Sequence, residues 1–213
     1  METIIKHATI KNIDCMEYMR TLPDKYFDLA IVDPPYGIGA SNGSSTNKTM
    51  RLKIANKEIK GGDWDNKIPD KLYFAELFRV SIDQVIWGGN YYGLPKNKCF
   101  FIWDKGESIY GRDFAECEMA WASFDKCARM LKVFPNQKIR IHPTQKPIKL
   151  YEWLLTNYAK PGQKIFDSHM GSGSSAIACN NLGFEYVGCE LDEDYYYAAC
   201  KRIQNHANQM TLF

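Results

Sequence analysis

Several features are missing from this chain, and each absence excludes a class. No run approaches about 18 uncharged apolar residues, so a membrane-spanning helix is not expected. The opening METIIKHATIKNIDC lacks the apolar stretch of a secretory leader, so the expected location is the cytoplasm. Cysteine is present but unpaired in pattern. The seven residues Cys15, Cys99, Cys117, Cys127, Cys179, Cys189 and Cys200 are odd in number and form no C-x-x-C, which disfavours a disulfide framework or a zinc site. His7, His142, His169 and His206 form no H-E-x-x-H pair, so no catalytic metal is expected. One-sided charge is missing too. With 27 bases against 25 acids the net charge is +2, which does not by itself announce a polyanionic partner.

What is there begins with ordinary globular composition, 45% apolar and 24% charged, which excludes a disordered chain. At 213 residues one compact domain is expected, with no repeat and no low-complexity tract. Positive charge gathers locally. Lys48, Arg51, Lys53, Lys57 and Lys60 face one acid, Glu58; the stretch from Lys126 to Lys146 carries Lys126, Arg129, Lys132, Lys138, Arg140 and Lys146 and no acid.

Strand and helix patterns alternate nearly throughout, which predicts an α/β sheet. Phe27–Val32 (FDLAIV) is almost wholly apolar, as a central strand covered on both faces should be. Similar runs are 84–87, 100–103, 164–166 and 186–189. Helices are expected at 14–22, 70–81, 147–159, 174–182 and 192–207, with Pro161-Gly162 and Gly183 as stops. Residues 116–123 read as a strand, one half of a hairpin with the next stretch of chain. The span 37–67, rich in Gly, Ser, Asn and Lys, is longer than an ordinary connection and reads as functional or as ordered only on binding.

Two constellations carry chemistry. In KIFDSHMGSGSSA a strand ends at Asp167, and Gly171, Gly173 and Ala176 fit G-x-G-x-x-A at a helix start; Glu190 closes the next strand. This is the pattern of a nucleotide-binding crossover, in which glycines allow close approach and the acid accepts ribose hydroxyls. It leaves a dinucleotide and another adenosine-bearing cofactor both open. The other is Asp33-Pro34-Pro35-Tyr36, straight after FDLAIV. Two prolines stiffen the strand terminus and orient Asp33 and the Pro34 carbonyl, with Tyr36 just beyond. The exocyclic amine of a nucleobase is a poor nucleophile because its lone pair is conjugated with the ring. Two acceptors gripping its hydrogens draw it toward tetrahedral geometry while an aromatic ring stacks the base.

Asp14-Cys15, Asp33-Pro34-Pro35-Tyr36, His142-Pro143-Thr144-Gln145-Lys146-Pro147, FDSHMGSGSS and GCELDEDYY occur in that order. Together they resemble the β-class amino-methyltransferases of DNA, and most of all the short adenine-N6 enzymes of phages and prophages. The resemblance runs from about Lys11 to Arg202. It implies a Rossmann-like methyltransferase fold in permuted order: a mostly parallel sheet with one antiparallel hairpin strand and helices on both faces. It implies S-adenosylmethionine as cofactor, DNA as partner, and DNA methylation of the restriction–modification kind in a bacterial or phage-infected cell.

By the same resemblance Asp33 and the Pro34 carbonyl, with Pro35 behind them, hold the adenine N6 hydrogens, and Tyr36 stacks on a flipped base. Asp167, Gly171, Ser172 and Gly173 line the methionine end of the cofactor and Glu190 its ribose. Asp14, beside Cys15, accepts from the cofactor adenine amine. Asp14-x-x-Glu17 is also a capping box, and one carboxylate oxygen can cap while the other binds. Lys146 is assigned to the cofactor carboxylate, and His142 is read as structural. Asp167-Ser168-His169 departs from the Asp-Pro-Phe of many members. No separate target-recognition domain fits between Tyr36 and His142, which leaves Lys48, Arg51, Lys53, Lys138 and Arg140 to meet DNA. So small a surface implies a short recognition site or two subunits sharing one duplex.

Cytosine-N4 methylation uses the same amine chemistry but more often has serine in place of Asp33, and methylation of a protein glutamine usually goes with asparagine there. A noncatalytic DNA-binding relative is disfavoured by the intact motifs. A nicotinamide oxidoreductase is disfavoured by the incomplete dinucleotide pattern, and a kinase by the missing Gly-Lys pair in GSSTNKT.

Overall fold

The computed structural model describes residues 1–39, 65–112, 115–135 and 140–209, with the backbone of 53–54 and 57–58. The strands are β1 (Glu2–Ile5), β2 (Ala8–Asn12), β3 (Phe27–Val32), β4 (Lys53–Ile54), β5 (Lys57–Glu58), β6 (Ser81–Trp87), β7 (Phe100–Asp104), β8 (Cys117–Ala122), β9 (Arg129–Lys132), β10 (Lys164–Asp167) and β11 (Glu185–Glu190). The helices are α1 (Cys15–Arg20), α2 (Lys71–Val80), α3 (Ile148–Tyr158), α4 (Ser174–Leu182) and α5 (Glu193–Gln209). β4 and β5 pair with each other. The other strands form one sheet in the order β1-β2-β11-β10-β3-β6-β8-β7-β9.

From β2 to β6 this sheet is parallel, as near-continuous apolar strands covered on both faces require. FDLAIV is the middle strand, and its Phe27 ring stacks on Phe166 of β10 at 4.5 Å and 10°. β8 is antiparallel to both β6 and β7. The expected hairpin between β8 and the strand after it is therefore corrected. Both edges of β8 are already taken, so β9 pairs with the remaining edge of β7, in parallel. β8 instead forms an antiparallel hairpin with the strand before it, β7, and a second hairpin, β1–β2, lies at the opposite edge.

Local chemistry places the helix ends. Asp14 caps α1 and Asp70 caps α2 through their carboxylates. α4 is buried from Ser174 to Cys179 because its small side chains let it lie close against α3 and β11. It starts from Gly173, at φ +72°, where a Cβ would lie 2.8 Å from Ile203 Cδ1 of α5. Both the left-handed backbone and the close packing of α5 thus call for glycine there. Among the described residues no helix is long and apolar enough to cross a membrane.

Candidate active site

In an open parallel sheet, ligands gather outside the carboxyl ends of the strands, where loops and helix starts converge. Here β11, β10, β3 and β6 lie side by side and point the same way, so their ends bring Glu190, Asp167, Asp33 and Gly88 to one edge. The two sequence constellations, more than a hundred residues apart, become neighbours through the pairing of β3 with β10.

On the β10–β11 side, the glycine loop is braced by the protein's own groups. Glu190 Oε2 accepts from the Gly171 amide at 2.9 Å, and Oε1 from the Asp192 amide at 2.9 Å. Asp167 accepts from Ser175 Oγ at 2.6 Å and from the His169 amide at 3.1 Å. Burial pushes both carboxyls up, each to about 7, against the pull of these donors. Ser172 is buried, and its carbonyl accepts from Arg202 at 2.7 Å. Ser174 Oγ donates to the Lys146 carbonyl at 2.8 Å, tying this loop to the His142–Pro147 turn. The His142 ring packs 4.5 Å from Tyr195, and burial lowers its pKa to about 4.

A cavity of about 320 Å³ lies between the starts of α1 and α2 and His169, lined by Asp14, Cys15, Pro35, Ile68, Tyr73 and His169 among others but not by Asp167, the Gly171–Gly173 turn or Glu190. That size falls within the usual range of ligand sites, about 300–1,000 Å³. Asp14 Oδ1 alone accepts both capping amides, from Met16 at 2.7 Å and Glu17 at 3.1 Å. At the position of the departure from Asp-Pro-Phe, His169 brings an aromatic ring to the cavity. It lies edge-on to Tyr73 at 5.3 Å and is held through Ser168.

On the β3 side, Asp33 and Tyr36 are joined directly, with the tyrosine hydroxyl 2.7 Å from Asp33 Oδ1. Lys146 carries its ammonium here rather than to the glycine loop: Nζ lies 2.5 Å from Asp33 Oδ2, 3.0 Å from Glu118 Oε2 and 3.1 Å from the Tyr36 hydroxyl. Its side chain is 2% exposed, so this ammonium exchanges water for two carboxylates. Lys105 balances the second carboxylate, 2.9 Å from Glu118 Oε1. Burial raises the Asp33 carboxyl while Lys146 pulls it down; the two lysines hold Glu118 low, at about 2, despite its burial.

The backbone around the motif is held from outside it. Tyr92 donates its hydroxyl to the carbonyls of Pro34 and Pro35. Asp65 Oδ1 accepts the Tyr36 amide at 2.7 Å and the Gly37 amide at 3.1 Å. Gly88 lies under the Tyr36 ring, where a Cβ would come within 2.4 Å of Cε1. Tyr91 stacks on that ring at 5.1 Å and 18°. Sequence reasoning missed Glu118, Tyr92, Asp65, Gly88 and Arg202. The Gly88-Gly89 pair straight after an apolar strand was an available signal; the others had none.

Of the residues assigned to DNA, Lys48, Arg51 and Lys138 lie outside the described residues, and of Lys53 only the backbone is described. Arg140 is half-buried beside the site and donates to the Pro143 carbonyl at 3.1 Å.

A nucleotide-binding crossover beside a strand end bearing a carboxylate, proline carbonyls and a tyrosine defines an α/β transferase acting on an amine. Residues 86–201, over half of the chain, match the DNA methylase family of N6 and N4 enzymes, and the chain belongs to that family. It is a methyltransferase of exocyclic amines in DNA. YubD of Escherichia coli (strain K12), named as a methylase, is 24% identical over 210 residues, covering 89% of this chain and 87% of YubD. The type II methyltransferase M.HinfI of Haemophilus influenzae is 24% identical over 251 residues, covering 92% of this chain and 68% of M.HinfI. The fold is similar to M1.HpyAVI, solved with SAM, at a TM-score of 0.59 and 22% identity over 92% of this chain and 99% of that one. It is also similar to the cytosine-N4-specific PvuII methyltransferase, at 0.59 and 13% over 96% and 92%.

Proposed function

We propose that this chain transfers a methyl group from S-adenosylmethionine to the N6 amine of adenine in DNA, with the base turned out of the duplex. The observation that carries this reading is the placement of Asp33 and the Pro34 carbonyl at the end of β3, beside a cavity that Pro35 shares with Asp14, Cys15 and His169. The residues present fit the cofactor. Gly171 and Gly173, at φ +52° and +72°, give the loop after β10 the left-handed turns of a nucleotide-binding crossover, and Ile203 of α5 packs into the space a Cβ would take at Gly173. Glu190, at the end of β11, would accept from the ribose diol, Asp14 keeps an oxygen outside its cap, and His169 and Tyr73 offer an aromatic wall. When bound, S-adenosylmethionine supplies a methyl carbon made electrophilic by its sulfonium.

The chain's own residues prepare the nucleophile. Asp33 and the Pro34 carbonyl accept the two amine hydrogens, so the nitrogen lone pair is drawn out of conjugation and aimed along one direction. Tyr36 stacks the base, its ring set by Gly88 and its hydroxyl by Asp33. Methyl transfer would leave the amine cationic; ionised Asp33, already accepting one of its hydrogens, would stabilise that charge and take up the proton it sheds. Lys146 keeps Asp33 charged for this task.

DNA would be met by the cations of the 37–67 span and by Lys138 and Arg140. Replacing Lys48, Arg51 and Lys53 with alanine should weaken DNA binding and flatten its salt dependence by up to about three counterions; an unchanged slope would remove that span from the interface. The chemical assignment is tested by incubating DNA with labelled cofactor, digesting it and identifying the labelled nucleoside. N6-methyl-2′-deoxyadenosine supports the reading, and N4-methyl-2′-deoxycytidine would replace it with the cytosine-N4 one.

A further inference from the structure

β3 ends at Val32, so among the described residues no ladder partner holds the carbonyls of Pro34 and Pro35. Proline locks φ, and the following Pro35 confines ψ at Pro34 to the extended range without fixing a single value. The direction of the Pro34 carbonyl, an acceptor of the target amine, is therefore decided by ψ at one residue, and something else must set it. The Tyr92 hydroxyl lies 2.8 Å from the Pro34 oxygen and 3.0 Å from the Pro35 oxygen, so one donor bridges two consecutive carbonyls. The bond to the Pro34 oxygen pins ψ at Pro34 within its extended range, and the second bond sets ψ at Pro35, the torsion between the two carbonyls.

Tyr92 is itself well held. It is 8% exposed, packs at 5.0 Å on Phe74 of α2, and stands edge-on to Tyr36 at 6.5 Å. It comes just after the turn that leaves β6, closed by the Tyr91 amide on the Gly88 carbonyl at 2.8 Å. The same short segment thus backs the Tyr36 ring through Gly88 and holds the Pro34 carbonyl through Tyr92. A carbonyl oxygen has two lone pairs, so donation from Tyr92 leaves one for an amine hydrogen.

We propose that Tyr92 is the positioning residue of the amine-accepting Pro34 carbonyl, an inference that rests on the methyl-transfer reading above. It acts through that carbonyl and does not touch substrate.

The test is Tyr92→Phe, which deletes one oxygen and keeps every ring contact. Methyl transfer is followed in a single turnover with saturating cofactor and DNA, and affinities for each are measured separately. The transfer rate should fall about tenfold to a hundredfold, as for other small misplacements of reacting groups. Cofactor and DNA affinities and the melting temperature should stay close to the parent's. A variant transferring within twofold of the parent, or one whose loss is matched by weakened binding, would overturn the proposal. The parent and Asp33→Ala, run alongside, separate the two levels. A parent that transfers nothing to DNA overturns the methyl-transfer reading itself, whereas transfer that needs Asp33 but not the Tyr92 hydroxyl overturns only the role of Tyr92.

Discussion

Lys146 Nζ lies 2.5 Å from Asp33 Oδ2 while the Tyr36 hydroxyl holds Oδ1, so each oxygen of the amine-gripping carboxylate is bonded before any substrate arrives. Burial alone would drive Asp33 toward its neutral acid, which is a weaker acceptor of the tyrosine and amine hydrogens and carries no charge to offset a cationic amine. The ammonium opposes that, and the nearby Glu118 works against it. Asp33 is needed ionised, so activity is present above its pKa and lost as pH falls through it. Lys146→Met should therefore move the acid limb of the transfer rate to higher pH by about one unit or more, the usual effect of losing a close opposite charge. Glu118→Gln should move it the other way. A pH–rate profile under single-turnover conditions checks both, and limbs that stay put in both variants would remove the charge argument.

Glu190 and Asp167 predict how the cofactor is held. Burial lifts each carboxyl to about 7, and only the ionised form of Glu190 can accept from two ribose hydroxyls beside its two amides. Affinity should be nearly full at pH 8 and fall roughly tenfold between pH 8 and pH 6 for one titrating group. Glu190→Ala should cost about 2 kcal/mol or more at pH 8, as for charged hydrogen bonds, and should flatten the pH dependence. Calorimetry at a series of pH values is the measurement.

Two glycines with nearly the same backbone separate strain from contact. Gly88 and Gly183 have φ +70° and +75°, so alanine at either costs about 1–2 kcal/mol of stability. Around Gly183 nothing lies within 4 Å of an added Cβ, whereas at Gly88 it would push into Tyr36. Gly183→Ala should lower the melting temperature and leave transfer intact. Gly88→Ala should lower both, with transfer reduced at least about tenfold because the stacking ring is displaced. Equal transfer rates in the two variants would break the link between Gly88 and Tyr36.

Much of this frame was legible because it is local. FDLAIV declares a buried strand by composition, and Ser174–Leu182 declares a helix between two glycines; both have the same bounds in the structure. The Asp33–Tyr36 and Gly171–Gly173 motifs are single runs whose residue types announce their chemistry. What was not legible depends on pairing between distant segments. Whether β8 pairs with β9 or inserts between β6 and β7 is settled by which sheet edges remain free, and no window of sequence holds that. Glu118 looks like any acid on a strand until β8 settles beside β6 and brings it to Lys146. Lys146, read as a cofactor contact from its motif, comes to Asp33 from 113 residues away. Tyr92 and Asp65 have no pattern of their own, because each acts on a backbone made by a different part of the chain.

The central claim is that Asp33 grips an adenine amine. It is tested most directly by a single-turnover assay of methyl transfer to DNA with the parent and Asp33→Ala, reading the methylated nucleoside and measuring cofactor affinity in parallel. N6-methyl-2′-deoxyadenosine should form with the parent and be undetectable with the variant, while cofactor affinity stays within about tenfold, or 1.4 kcal/mol. Transfer by Asp33→Ala at the parent's rate would contradict the account.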